Sequence, residues 1–176
     1  MAAALPREIA AARTVVETFR SAFHVAVAAP TPIDDIAESF FSLRVIEDAM
    51  MEESGTLDPA AFEVRVNAAE CIAAPMRRRF TVAHEIGHFV LHAPGATGVV
   101  FCRVTDAPEA PKQLIEREAN RFAAELLMPE DLVRSEAARV GADPAALAKL
   151  FQVSGPAMGW RLFNLGLAET RPDQSA

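Results

Sequence analysis

The sequence predicts an α+β fold: helices packed beside a small antiparallel sheet, followed by a C-terminal helical module that resembles a helix-turn-helix. Three observations support this prediction. Apolar residues recur at helical spacing in residues 81–92 and again in residues 114–129. Short stretches of alternating apolar and polar residues, bounded by turn residues, lie between residues 43 and 73. After Pro129, three short helical patterns each have capping or helix-ending residues at their boundaries.

The first third of the chain is expected to hold two helices and then short strands. Residues 9–27 have the apolar pattern of a helix, which the proline-containing segment 28–32 interrupts. A second helix follows, with Asp34 or Asp35 as its cap. Strands are predicted at residues 43–46, 54–57, 62–67 and 71–73. Together they would form the small sheet beside the helix that begins near residue 81.

The segment after Pro129 predicts three short helices and completes the domain organisation. These helices are residues 130–140, residues 144–151 behind an Asp143 cap, and residues 155–165 behind a Ser154 cap. We therefore expect a core over residues 1–129, a helical module packed on it over residues 130–169, and a frayed tail over residues 170–176.

Composition favours an intracellular protein with one core. At 176 residues and 51% hydrophobic composition, the chain can bury a sizeable interior. No signal peptide or long apolar span is found, so we expect a cytoplasmic location without membrane contact. The net charge of −7 disfavours nucleic-acid binding, and residues 143–167 contain only Lys149 and Arg161 as cations. Cys71 and Cys102 do not make a disulfide framework, and we expect Cys102 to be a structural thiol rather than a metal ligand or redox switch.

A His-Glu-x-x-His motif occupies residues 84–88, within the predicted helix. Because residues four apart share one face of a helix, His84 and His88 can bind a single ion. Glu85 lies about 100° further round, where it can reach a water on that ion without being a ligand. Two imidazoles and a carboxylate base indicate the core of a zinc peptidase. Gly87, placed mid-helix at a cost of about 1 kcal/mol relative to alanine, indicates that another element packs very close.

A catalytic zinc also needs a third protein ligand. His92 is the nearest candidate, but on a continuous helix its Cα would lie about 12 Å from that of His84, too far for one ion. Glu116 is the better donor, because it shares a helix face with Asn120 and with two alanines that would let a facing helix approach closely. Asn120 would then hold a ligand imidazole through its other ring nitrogen.

The neighbouring acids have an alternative role. Glu118 is the rival ligand, but it points about 200° away from Glu116. The acids of this helix can instead form a solvated face with Arg117 and Arg121, and we assign that role to Glu118 and Glu125.

Three consecutive arginines, Arg77, Arg78 and Arg79, precede the predicted metal-binding helix. The helix dipole disfavours cations at that end, so a specific partner is expected: a substrate carboxylate, one of the chain's own acids, or the oxyanion of the transition state. The sequence contains no tyrosine. The oxyanion would therefore be stabilised by the zinc, by Arg77 or Arg79, by His92, or by backbone amides.

Residues 79–92 and 116–129 resemble the two signature blocks of the ImmA/IrrE family of zinc metallopeptidases, and a weaker resemblance extends over residues 32–167. The resemblance implies a zincin-like fold with a gluzincin-like layout and one Zn²⁺ per chain. In the wider gluzincin group an acid stands where this sequence has Asn120, and an amide can orient an imidazole but adds no charge.

The same resemblance implies residue roles and a partner. His84, His88 and Glu116 would bind the zinc, and Glu85 would act as the base. The substrate would be a protein, namely a helix-turn-helix repressor of the XRE type, whose cleavage relieves repression in a stress response or in the control of a mobile element. A zinc-binding anti-repressor that sequesters its partner is the alternative, which the intact Glu85 disfavours. Strand addition near residues 64–67 and docking on the helices after Pro129 would hold the substrate.

Overall fold

The structure is a computed structural model that describes residues 4–26, 28–93 and 112–172. Within these residues the α+β prediction is confirmed. The helices are α1 (Arg7–Phe23), α2 (Ile33–Asp35), α3 (Ala68–Ala73), α4 (Pro75–His92), α5 (Lys112–Leu127), α6 (Glu130–Val140), α7 (Pro144–Phe151) and α8 (Gly155–Asn164). The strands are β1 (Arg44–Asp48), β2 (Gly55–Asp58) and β3 (Glu63–Asn67). No described helix has both the length and the apolar character that a membrane crossing requires.

Helices α4 and α5 pack face to face at the centre of the molecule. Ile86 on α4 and Phe122 on α5 are fully buried. Gly87 lies at the contact: a Cβ built there would be 3.2 Å from the Cα of Ala119 and 3.3 Å from its carbonyl oxygen. The missing side chain lets the two backbones approach, which explains a glycine in the middle of a helix.

The sheet has the order β1-β3-β2 and is mixed rather than antiparallel. Strand β3 pairs parallel with β1 and antiparallel with β2. The predicted edge for strand addition, residues 64–67, is therefore wrong, because these residues belong to the central strand. The edge strand that packs on α4 is β2.

Residues 71–73 were predicted as a further strand, but they form the end of α3. The Asn67 side chain accepts hydrogen bonds from the backbone N–H groups of Ala69 and Glu70, so the helix starts directly where β3 ends. A pattern of only three residues is a weaker signal for a strand than the Asn67 cap is for a helix.

The helices at the start of the chain also differ from the prediction. Helix α1 stops at Phe23, and His24 follows in the left-handed conformation (φ 53°). Asp34 and Asp35 lie inside α2 rather than capping it, and the chain continues as a π-helical turn over Ile36–Phe40.

Helices α6 and α7 have the predicted bounds, and α8 ends one residue earlier than predicted. The Asp143 and Ser154 side chains cap α7 and α8. Arg161 of α8 reaches back to the core, where it donates to the Met128 carbonyl oxygen at 3.0 Å and to the Glu125 carboxylate.

Glu125 is buried, and its other carboxylate oxygen accepts a hydrogen bond from Arg13 of α1 at 2.8 Å. The assignment of Glu125 to a solvated helix face is therefore wrong. It sits where α1, α5 and α8 meet, and two guanidinium groups compensate its charge. Cys71 is a buried free thiol, while Cys102 and residues 173–176 of the predicted tail lie outside the described residues.

Candidate metal centre

His84, His88 and Glu116 converge at the α4–α5 contact. Helical spacing places the two imidazoles one above the other on α4, and the close approach of α5 at Gly87 brings Glu116 to them. One ligand atom from each of the three residues lies within 4.8 Å of the others. The His84 and His88 Nε2 atoms are 3.0 Å apart, and Glu116 Oε2 is 3.3 Å from His84 Nε2.

This spacing suits a divalent metal ion. In a tetrahedral zinc site, with bonds of about 2.0–2.1 Å, the ligand atoms stand about 3.3 Å from one another. The third separation here, from His88 Nε2 to Glu116 Oε1, is 3.7 Å. Two nitrogen donors and one carboxylate oxygen leave a fourth position open, as in catalytic rather than structural zinc sites.

Asn120 lies beside His84, one helical turn after Glu116. Its Oδ1 atom is 3.1 Å from His84 Nδ1. An amide oxygen only accepts, so His84 Nδ1 carries the proton and Nε2 keeps its lone pair toward the other two donors. The contact thus orients the imidazole in the form that binds a metal.

His88 is neutral in this setting. Burial, reinforced by the neighbouring His84 ring, lowers the pKa of His88 to about 4. A neutral imidazole is the form that a metal ion requires.

His92 does not face the opening of the site. Its Nε2 lies 3.0 Å from Glu118 Oε2 and its Nδ1 lies 3.3 Å from His88 Nδ1, so both ring nitrogens have protein partners. The suggested oxyanion role for His92 does not fit this position. Glu118 is likewise not part of a solvated face, because it binds both His92 and Arg7. Burial acts to raise the pKa of Glu118, but the hydrogen bond from His92 and the charge of Arg7 outweigh it and lower that pKa.

Glu85 follows His84 on α4 and lines the same cleft as His84, and it is only 7% exposed. Burial, assisted by the charge of Glu116, raises its pKa from 4.5 to about 7. A carboxyl group with a pKa near neutrality can both accept and release a proton, which is the property of a general base that later acts as an acid.

A cleft of about 260 Å³ opens over Glu85. It is lined by α4, by Asn120 and by the first residue of β2, Gly55. A Cβ at Gly55 would overlap the Thr81 methyl group and lie 2.9 Å from Glu85 Oε1. Sequence reasoning missed this residue, since Ser54-Gly55 has only the signature of a turn and no local pattern indicates what packs against it.

The three arginines lie within the first turns of α4 rather than before it, and they have different partners. Arg78 binds Asp34 at 2.7 Å and Glu47 at 2.8 Å, so two of the chain's own acids neutralise it. Arg79 donates to the Thr31 carbonyl oxygen at 2.7 Å and is not among the residues that line the cleft over Glu85, which disfavours the substrate or oxyanion role suggested for it.

Arg77 remains a candidate for substrate contact. Its side chain is 63% exposed, and it lines the cleft over Glu85. Its Nε lies 3.4 Å from Glu70 Oε2, an ion pair in which that carboxylate oxygen accepts no hydrogen bond.

A larger depression adjoins this cleft, and we call it the apolar groove. It has a volume of about 710 Å³ and shares Arg77 and Phe80 with the cleft. Its other walls come from the start of α4, from the residue after α5, and from the start of α8 with the loop before it: Pro75, Met76, Met128, Val153 and Pro156. The C-terminal helices therefore contribute one wall of a surface that continues from the metal site.

A mostly helical α+β fold with paired histidines on one helix and a glutamate on the facing helix is the arrangement of a metallopeptidase. The chain belongs to the family of IrrE N-terminal-like domains, whose family model matches residues 42–163. This membership confirms the ImmA/IrrE resemblance and supports a metal cofactor.

Two curated relatives are radiation response metalloproteases IrrE. The protein from Deinococcus radiodurans is 38% identical over 98 residues, which is 54% of this chain and 28% of the relative. The protein from Deinococcus deserti is 34% identical over 103 residues, 57% of this chain and 34% of the relative. The chain thus matches about a third of the length of these relatives.

A solved structure shares the fold. A transcriptional regulator of Mycobacterium tuberculosis superimposes with a TM-score of 0.62 over 97% of this chain and 49% of that chain, at 19% identity.

Proposed function

We propose that this protein is a zinc-dependent endopeptidase that cleaves a helix-turn-helix repressor of the XRE type and so relieves repression. One Zn²⁺ per chain would be held by His84, His88 and Glu116. The observation that carries the proposal is the convergence of these three donors beside the buried carboxyl group of Glu85. A cytoplasmic location, where such a repressor acts, is part of the same proposal.

Glu85 is the general base of the proposed reaction. A bound zinc supplies Lewis-acid polarisation of the scissile carbonyl and lowers the pKa of its water to about 7. Glu85 takes a proton from the attacking water and passes it to the leaving amine as the C–N bond breaks. The environment that holds the pKa of Glu85 near 7 suits both transfers. Asn120 keeps the His84 ring in place throughout.

The substrate would lie along β2 in extended form. This strand pairs with β3 on one side, and its first residue closes the cleft over Glu85. Main-chain pairing at such an edge binds a peptide irrespective of its side chains, so selectivity must come from elsewhere. The apolar groove meets that need, because it continues from the cleft and is large enough for several apolar side chains.

The C-terminal helices serve in this proposal as a docking module, residues 130–169, on a catalytic core of residues 1–129. Of the two cations in residues 143–167, Arg161 is bound to Glu125 and its side chain is only 10% exposed. The two further arginines of the module, Arg134 and Arg139, are paired with Glu130 and Glu136. The module therefore offers little to a nucleic-acid backbone, and a protein partner is favoured.

The test is to incubate the zinc-loaded full chain with the repressor encoded beside its gene, and to examine the products by mass spectrometry. One discrete cleavage is expected with the wild type and none with Glu85→Gln. The alternative, an anti-repressor that only sequesters its partner, requires the opposite result: both proteins would release the repressor from its operator and leave it intact.

A further inference from the structure

Behind the metal site, four side chains from three helices form a continuous series of polar contacts, which we call the His92 network. His88 Nδ1 lies 3.3 Å from His92 Nδ1. His92 Nε2 lies 3.0 Å from Glu118 Oε2 on α5. Arg7, in the first turn of α1, donates from Nη2 to the same Glu118 oxygen at 2.9 Å. The network runs from a candidate metal ligand to the N-terminal helix.

The direction of each hydrogen bond follows from the carboxylate. Glu118 only accepts, so His92 must donate to it from Nε2. In a neutral His92 the Nδ1 atom then carries a lone pair, and it accepts a proton from His88 Nδ1. His88 is left with its lone pair on Nε2, the atom that faces His84 and Glu116. A carboxylate on another helix thus fixes which His88 nitrogen is free for a metal.

The network is sheltered from solvent. The side chains of its members are between 17% and 27% exposed. Hydrogen bonds in such surroundings are stronger and more directional than those at a fully exposed surface. The two candidate ligand imidazoles are held differently. His84 is hydrogen-bonded to the side-chain amide of Asn120, whereas His88 is hydrogen-bonded to His92 and through it to the rest of the His92 network.

We propose that His92 is a positioning residue for the metal ligand His88, that Glu118 sets its tautomer, and that Arg7 couples helix α1 to the metal site. This inference rests on the metal-binding part of the proposed function. Helix α1 precedes residues 42–163, which the family model matches, so the contribution of Arg7 lies outside the matched domain.

A substitution in the network should weaken zinc binding less the further it lies from His88, in the order His92, Glu118, Arg7. His92→Phe keeps a ring of similar size but removes the acceptor for His88, and the zinc Kd should rise 10- to 100-fold, the usual loss when a residue behind a ligand is removed. Glu118→Gln keeps an oxygen that accepts from His92 but removes the charge, so a smaller rise, within about tenfold, is expected. Arg7→Gln should give the smallest rise of the three.

The experiment is a zinc titration of the metal-stripped full chain against a competing chromogenic chelator, with circular dichroism of each protein. Matched controls are available. His24→Asn alters an exposed histidine at the end of α1, and Glu136→Gln alters an acid as exposed as Glu118 that pairs with Arg139 of the same helix, α6. The controls should keep the wild-type Kd. Unchanged zinc affinity in a folded His92→Phe protein would overturn the proposal.

A double-mutant cycle separates positioning from general packing. If Glu118 acts through His92, the His92→Phe/Glu118→Gln protein should bind zinc no more weakly than His92→Phe alone. Additive losses would mean that Glu118 acts independently and would overturn the assigned order. The nitrogen-bound proton of His88 Nδ1 should also give an NMR signal in the zinc-loaded wild type that shifts in Glu118→Gln.

The outcome is separable from that of the proposed function. Normal zinc binding without cleavage of any repressor would refute the endopeptidase and leave the network intact. A wild-type chain that binds no zinc would overturn both.

Discussion

Gly55 and Glu85 are in direct apposition: a single added carbon at Gly55 would lie 2.9 Å from Glu85 Oε1. Gly55 is the first residue of the edge strand β2, and Glu85 lies on helix α4. The position of the strand and the position of the proposed base therefore depend on each other. A larger residue at position 55 would displace the Glu85 carboxylate.

Gly55→Ala should therefore impair turnover while zinc stays bound. The new methyl group would displace the Thr81 side chain and the Glu85 carboxylate, and a misplacement of about 1 Å typically costs on the order of 10²-fold in rate. Steady-state cleavage of the repressor, with zinc content measured in parallel, tests this. Gly155→Ala is the matched control, because nothing lies within 4 Å of that position, and its rate should equal that of the wild type.

Glu85→Gln should keep the fold and the zinc but lose activity by 10²- to 10⁴-fold, the typical contribution of a general base. The amide has the same shape and cannot take a proton. A single-turnover assay on protein of verified zinc content is the measurement. Wild-type rates from this variant would eliminate Glu85 as the base.

Glu116→Gln should bind zinc far more weakly than Glu118→Gln. Glu116 has its oxygens 3.3 and 3.7 Å from the two histidine Nε2 atoms, whereas Glu118 contacts His92 and Arg7. Metal analysis after dialysis against a weak chelator compares the two directly. Retention of zinc by the Glu116 variant, with loss from the Glu118 variant, would show that the third ligand is wrongly assigned.

Glu125→Ala should destabilise the protein by about 3–5 kcal/mol, because removal of the buried carboxylate leaves the Arg161 side chain, which is only 10% exposed, uncompensated. Urea unfolding gives the free energy change. Glu136→Ala breaks a more exposed pair with Arg139 and should cost no more than about 1 kcal/mol. Equal losses in the two variants would contradict the structural role given to Glu125.

Met76→Asp should lower the affinity of the protein for the repressor and so slow cleavage. We expect kcat/KM to fall about tenfold or more, since a loss of about 1.4 kcal/mol of binding energy corresponds to a factor of ten. The aspartate would place a charge in the apolar groove, where a substrate side chain would have to desolvate it. Zinc content should not change. Met50→Asp is the control, because Met50 is 91% exposed and does not line the groove.

Local signals in the sequence were sufficient for helices α6, α7 and α8, although not for α3, whose last residues have the pattern of a strand. The Asp143 and Ser154 caps act on backbone groups two or three residues away, so α7 and α8 could be located from the sequence alone. The same holds for His84 and His88, whose common face depends only on helical spacing.

Features that depend on distant residues could not be predicted in this way. Strands β1 and β3 pair in parallel, with Arg44 opposite Glu63, although β2 lies between them in the sequence. No turn residue encodes this pairing. Glu118 and Glu125 have the sequence context of surface acids, but their partners Arg7 and Arg13 lie more than 100 residues away. The role of Gly55 depends equally on a tertiary contact.

Because the three candidate donors come from two different helices, a metal ion bound by them would be a cross-link as well as the proposed catalyst. His84 and His88 belong to α4 and Glu116 belongs to α5, so the intact site exists only where both helices are folded and packed. A ligand that binds only the native state stabilises it by mass action, by about 2.7 kcal/mol at a hundred times its Kd. The melting temperature of this protein should thus report the concentration of free zinc. In a cell starved of zinc, the same chain would lose the proposed activity and also become easier to unfold and degrade.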